Sequence, residues 1–110
     1  MKNFSNLKQL LFAWQELPIP GRLYIEVRGD IENAQFWAVS SKEAKNQLMI
    51  ETEFGRVPEI LMNFHVKSFL DTQIFQDIVS LQLEGGTELQ DYKSVIQAIY
   101  YYLECDDFMH

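Results

Sequence analysis

The side chains that could do chemistry here are few: one cysteine, two histidines and a surplus of carboxylates. Nucleophilic catalysis needs a thiolate or an activated hydroxyl with a base in hydrogen-bond reach. Cys105 falls near the C-terminal end of an expected helix, beside Glu104, Asp106 and Asp107. A helix C-terminus and neighbouring carboxylates both repel a thiolate, so the expectation is a surface or partly packed cysteine. His65 sits between Phe64 and Val66 in an extended run, which points it to solvent or a neighbour, and His110 is the last residue. Asp106, Asp107 and His110 could be drawn as a metal site, but no ligand from a second segment completes it. Neither a metal nor another cofactor is expected. Glu84, Glu88 and Asp91 flank Gly85-Gly86 and could pair as hydrolytic carboxylates. Acids at a helix start also satisfy its dipole, and that structural role is the simpler reading. Gly85-Gly86 matches no phosphate-binding glycine pattern.

The run Tyr100-Tyr101-Tyr102 is the most informative local feature. Consecutive helical residues stand about 100° apart, so three adjacent rings cannot all face one core. Tyr100 aligns with Leu89, Ile96 and Leu103 and is expected inside. Tyr101 aligns with Gln90, Ser94 and Gln97 and is expected outside, with Tyr102 at the boundary. Exposed tyrosine among carboxylates suits a protein-binding patch. Packing on a neighbouring loop or a second copy of the chain is the competing reading.

Charge sharpens the first of these. The net charge is −7. Residues 1–57 carry seven basic and seven acidic side chains, and residues 58–110 carry Lys67 and Lys93 against nine acids. A negative field of this kind attracts basic partners and disfavours nucleic acid, which a basic stripe would recognise. No apolar run approaches a membrane span, and Leu10-Leu11-Phe12-Ala13-Trp14 is too short for a signal peptide. With one unpaired cysteine, the default expectation is a single-domain protein of the cytoplasm, monomeric or weakly dimeric.

The elements that must carry these groups follow from periodicity. Ser5 reads as an N-cap before Leu7, Leu10, Leu11, Trp14 and Leu17, giving a helix over residues 5–17 stopped by Pro18, Pro20 and Gly21. Residues 22–28 alternate, with Leu23, Ile25 and Val27 on one face and Tyr24 and Glu26 on the other. Arg28-Gly29-Asp30 spells an adhesion tripeptide but reads as a hairpin turn into a second strand at 34–39. Ser40 and Glu43 form a capping-box pattern for a short helix, with an extended segment after it, or residues 47–54 make a third strand. Residues 58–69 read as extended, bent near Asn63. Asp71 caps a helix at 72–83, and Gly85-Gly86 ends it. A last helix at 88–105 opens at Thr87 or Glu88, with Leu89, Tyr92, Val95 or Ile96, Ile99 and Leu103 inward. Strands between terminal helices predict an α+β fold: a small, mainly antiparallel sheet with the N- and C-terminal helices packed on it. The first three or four residues are expected to fray.

The segments Thr72-Gln73-Ile74-Phe75-Gln76-Asp77-Ile78-Val79 and Ala98-Ile99-Tyr100-Tyr101-Tyr102-Leu103-Glu104-Cys105-Asp106-Asp107-Phe108 resemble a small bacterial domain family of unassigned activity. The first helix and the Leu23-Tyr24-Ile25 strand look similar too, whereas residues 40–63 depart from the pattern and lack its acidic loop. Such domains are similar to immunity proteins of contact-dependent growth inhibition and related polymorphic toxin systems. The resemblance implies a small cytoplasmic binder, not an enzyme, that neutralises one cognate toxin, commonly a nuclease with a basic cleft. Glu84, Glu88, Asp91, Glu104, Asp106 and Asp107 are then the expected charges, and Tyr101 and Tyr102 the anchors. An adaptor domain unrelated to toxins and a small carboxylate hydrolase are the alternatives.

Overall fold

The structure is a computed structural model, and residues 1–106 are described. Four antiparallel strands form the main sheet in the order β1-β3-β2-β6: β1 is Lys2–Phe4, β2 Gly21–Glu26, β3 Phe36–Ser40 and β6 Val66–Asp71. Helices α1 (Leu7–Phe12), α3 (Thr72–Glu84) and α4 (Tyr92–Cys105) pack on one face. The expected α+β architecture is the one observed.

The opposite face departs from expectation. Tyr24 does point away from Leu23 and Ile25, but it is not a solvated residue. It joins Trp37, Val39, Val57, Leu61 and Val66 in a second apolar cluster. A small layer covers that face, made of α2 (Ser41–Ala44), the hairpin of β4 (Met49–Thr52) with β5 (Gly55–Pro58), and a 3₁₀ turn at Glu59–Leu61. The central strands β2 and β3 are therefore buried on both sides, with Leu23, Phe36 and Ala38 at 0% exposure on the helix side. Burial of each large side chain there contributes about 1.5–3 kcal/mol.

Local chemistry explains the boundaries. The cap of α1 is Asn6, not Ser5: its Oδ1 accepts the Gln9 N–H at 2.9 Å, while Gln9 Oε1 accepts the Ser5 N–H. Helix α1 stops at Phe12, and a 3₁₀ turn at Trp14–Glu16 replaces the expected helical end. Gly21 does not merely stop a helix; it opens β2, where a Cβ would lie 2.7 Å from the Pro18 carbonyl and 2.8 Å from that of Val39. The Ser40–Glu43 capping box is complete, but α2 is one turn long rather than reaching Met49. Of the extended run expected over 58–69, Glu59–Leu61 is a 3₁₀ turn and residues 62–65 a connection, and the strand begins at Val66.

Strand β1 replaces the expected frayed terminus. It pairs with β3, and the Met1 ammonium reaches Glu43 at 2.6 Å. A register shift between β2 and β6 puts one extra residue in β6, since Arg22 faces Asp71 and Tyr24 faces Ser68. This bulge turns β6 over along its length. Val66 belongs to the small-layer core, whereas Phe69 and Leu70 join the helix side, where Phe69 packs 5.5 Å from Phe36. Asp71 then caps α3 by accepting the Gln73 N–H at 2.8 Å. Gly85 and Gly86 close that helix, with Gly86 at φ 95.

Candidate interaction surface

Helix α4 opens at Tyr92, four residues later than the start expected at Glu88. Asp91 occupies the cap position, but its carboxylate accepts from the Ser94 hydroxyl at 3.2 Å rather than from a backbone N–H. The helix is rotated from the expected register. Val95, Ala98 and Ile99 are buried, and Ile96 and Tyr102 pack at the core margin. Tyr100 and Leu103, expected inside, are exposed at 49% and 47%. Tyr101 is exposed, as expected, and Tyr102 is half-buried. The missed signal is Ala98: a small residue in the stripe lets the helix approach the core closely and centres the inner face on 95, 98, 99 and 102.

Two of the freed side chains shape a groove. Tyr100 and Leu103 line one wall of a cleft of about 280 Å³, and Ile25, Val27, Ile31 and Phe69 line the rest. Glu26, Asp30 and Lys67 edge it. On the other side of Leu103, Tyr102 and Asp106 line a second cleft of about 300 Å³ with Arg22, Asp71 and Ile74. Asp106, at φ 55, ends the helix in the left-handed conformation.

The expected site residues separate into two groups. Glu84, Glu88 and Asp91, all exposed, surround the α3–α4 connection. Tyr101, Tyr102, Glu104 and Asp106 stand at the opposite end of α4, a helix of 14 residues and so ~21 Å long. Asp107 and His110 lie outside the described residues. Glu84, Glu88, Asp91, Glu104 and Asp106 form no ion pair among the described residues; the pairs there are Met1–Glu43 and Glu51–Arg56. Charge segregated along the chain is thus partly remixed in space, since Glu26 and Asp30 of the balanced first half border the same groove as Tyr100. Asp30 is half-committed, accepting from the Asn33 backbone and side chain at 3.0 Å each.

The other chemically capable groups are dispersed. Cys105 is exposed, and His65 is exposed with its ring edge-on to Phe54 at 6.3 Å. Among the described residues no cluster of three His, Cys, Asp or Glu could hold a metal ion. Among the described residues, two groups titrate away from their ordinary ranges. Burial pushes the Tyr24 hydroxyl up, partly opposed by Arg22. The Met1 ammonium, with the Ser40 backbone N–H and hydroxyl, holds the Glu43 carboxyl down. Neither group lines the groove walled by Tyr100 and Leu103. Among the described residues no helix is long and apolar enough to cross a membrane.

The fold and surface define a layered α+β domain that carries exposed aromatic and acidic side chains at one end of its last helix. No family model, curated protein or solved structure matches the chain.

Proposed function

We propose that this chain is a non-enzymatic binding domain for a basic protein: an immunity protein that neutralises a cognate toxin, most simply a nuclease, and acts in the cytoplasm. The observation that carries this reading is the C-terminal half of α4. There Tyr100 and Tyr101 stand exposed beside Glu104 and Asp106, two carboxylates without an ion-pair partner among the described residues. Aromatic anchors supply desolvated contact area, and free carboxylates supply steering and pairing with Lys and Arg. In a nuclease cleft such carboxylates occupy the places of substrate phosphates. Glu84, Glu88 and Asp91, at the far end of the helix, contribute to the long-range field rather than to the same contact.

The test is calorimetric binding to a toxin domain encoded beside this chain's gene. Tyr101→Ala should weaken binding by more than about 2 kcal/mol, roughly 30-fold in Kd, while the exposed position leaves fold stability within about 0.5 kcal/mol. Binding unaffected by Tyr101→Ala and Asp106→Lys would move the interface elsewhere. No binding at all would favour an adaptor role.

A further inference from the structure

We infer that the small layer is a self-association surface, on which a second copy of this chain pairs along the outer edge of β4. Six of the large apolar side chains left exposed, Leu48, Met49, Phe54, Ile60, Met62 and Phe64, come from residues 48–64. Leu48, Met49 and Ile60 are held together at the start of β4, whereas Phe64 packs on Trp37 with ring centroids 5.3 Å apart. The Leu48 carbonyl accepts the Glu59 N–H, Gln47 Oε1 accepts the Ile60 N–H, and Phe54 packs on His65 next to Phe64. Taking ~200 Å² for a fully exposed large apolar side chain, the exposures of Leu48 (68%), Met49 (48%) and Ile60 (44%) amount to ~320 Å². That is within the ~300–600 Å² of the patches found on monomers and under half of the ~800 Å² each partner contributes to a standard interface, which suits a weak dimer.

The backbone adds an unpaired strand edge. Among the described residues β4 pairs only with β5, and β5 lies against β6, so the outer edge of β4 carries no strand there. Leu48 and Glu59 form a hydrogen-bonded pair, which makes Ile50–Val57 and Thr52–Gly55 the next ones. The N–H and C=O of Met49 and Glu51 therefore point outward. A second copy laid antiparallel across a two-fold axis at Ile50 satisfies all of them: Met49 meets Glu51 of the second copy, Glu51 meets its Met49, and Ile50 meets Ile50. No carboxylate faces another, and each Glu51 is already paired with its own Arg56 at 3.2 Å. Two hairpins, marginal as isolated two-stranded sheets, become one four-stranded sheet. Charge selects this face as well. Residues 48–64 hold Glu51, Glu53 and Glu59 against Arg56, a net −2 of the total −7, so self-repulsion is weaker here than on the acidic α4 side.

Sedimentation equilibrium across micromolar to several hundred micromolar chain is the test. The mass should rise from 13.0 kDa towards twice that value, and added NaCl should strengthen association by screening the net charge. Leu48→Lys should raise the dimer Kd ~10-fold or more. Met49→Pro, which removes an outward N–H that the β4–β5 ladder does not use, should do the same. Circular dichroism and melting of both variants keep misfolding separate from lost pairing. A wild-type chain that stays monomeric throughout overturns the inference, as does a dimer indifferent to Leu48→Lys and to a folded Met49→Pro. If the wild type is monomeric and Leu48→Lys instead weakens binding of a basic protein, the face belongs to that partner.

Discussion

Leu61→Ala tests whether the small layer is a true second core. Leu61 is at 0% exposure, in the cluster with Tyr24, Trp37, Val39, Val57 and Val66. Truncation removes three carbons, at ~0.8 kcal/mol each for lost burial, or ~2.4 kcal/mol. The residue sits in a 3₁₀ turn whose backbone is tied down: its carbonyl accepts the Phe64 N–H at 3.0 Å, and Met62 N–H donates to Glu59. Collapse of the site is therefore limited. A residual ~30 Å³ cavity adds ~0.7 kcal/mol at ~24 cal/mol per Å³. The expected loss is ~3 kcal/mol, a large part of the ~5–15 kcal/mol typical of such a domain, and ~12 °C or more in Tm. Urea unfolding followed by far-UV circular dichroism and tryptophan fluorescence measures it, with Leu48→Ala, exposed at 68%, as a control expected within about 0.5 kcal/mol. A loss below about 1 kcal/mol for Leu61→Ala would refute the packing of the hairpin layer on the sheet.

Three further predictions concern stability. Gly21→Ala should cost ~2 kcal/mol or more, because its Cβ would meet two backbone carbonyls that cannot move independently, and a thermal melt indistinguishable from wild type would contradict this. Tyr24 keeps its proton in the folded chain above the ordinary tyrosine value of ~10, where the unfolded chain releases it, so stability should fall as pH rises past that value. Tyr24→Phe should reduce that alkaline slope in pH-dependent urea titrations. Glu43 has the opposite sign: its contribution is present above ~4.3 and is lost as pH falls through the lower folded value. Glu43→Gln should flatten the acid limb while costing no more than about 1 kcal/mol at neutral pH, since the pair is solvent-exposed.

What the sequence made legible was local. Alternation placed β2 and β3, the Ser40–Glu43 box was chemically complete in four residues, and Asp71 with Gly85-Gly86 framed α3. What escaped depended on distant partners. Strand β1 has one buried residue in three, and only its pairing with β3 orders it. Residues 47–61 alternate weakly because their inner face packs on Tyr24 and Trp37, more than ten residues away in the chain. The register of α4 was ambiguous because apolar and aromatic residues surround the helix. Contact with α3 and the sheet selected Val95, Ala98, Ile99 and Tyr102, which released Tyr100 and Leu103 to the groove. The candidate surface was legible in Tyr101, Glu104 and Asp106. The contribution of Glu26 and Asp30 was not, because it arises only when the β2–β3 turn is folded against α4.

The most direct measurement of the proposed role is the association rate with any toxin domain found encoded beside the gene as a function of ionic strength, by stopped flow, for wild type, Glu88→Lys, Asp106→Lys and Tyr101→Ala. Exposed charges reach ~8 Å at physiological salt and farther below it. The wild-type rate should be high at low salt and fall steeply as salt rises. Glu88→Lys should slow association modestly and leave dissociation unchanged. Asp106→Lys should slow association more strongly, and Tyr101→Ala should act mainly by speeding dissociation. A salt-independent rate, or equal rates for all four chains, would contradict an acidic docking end on α4.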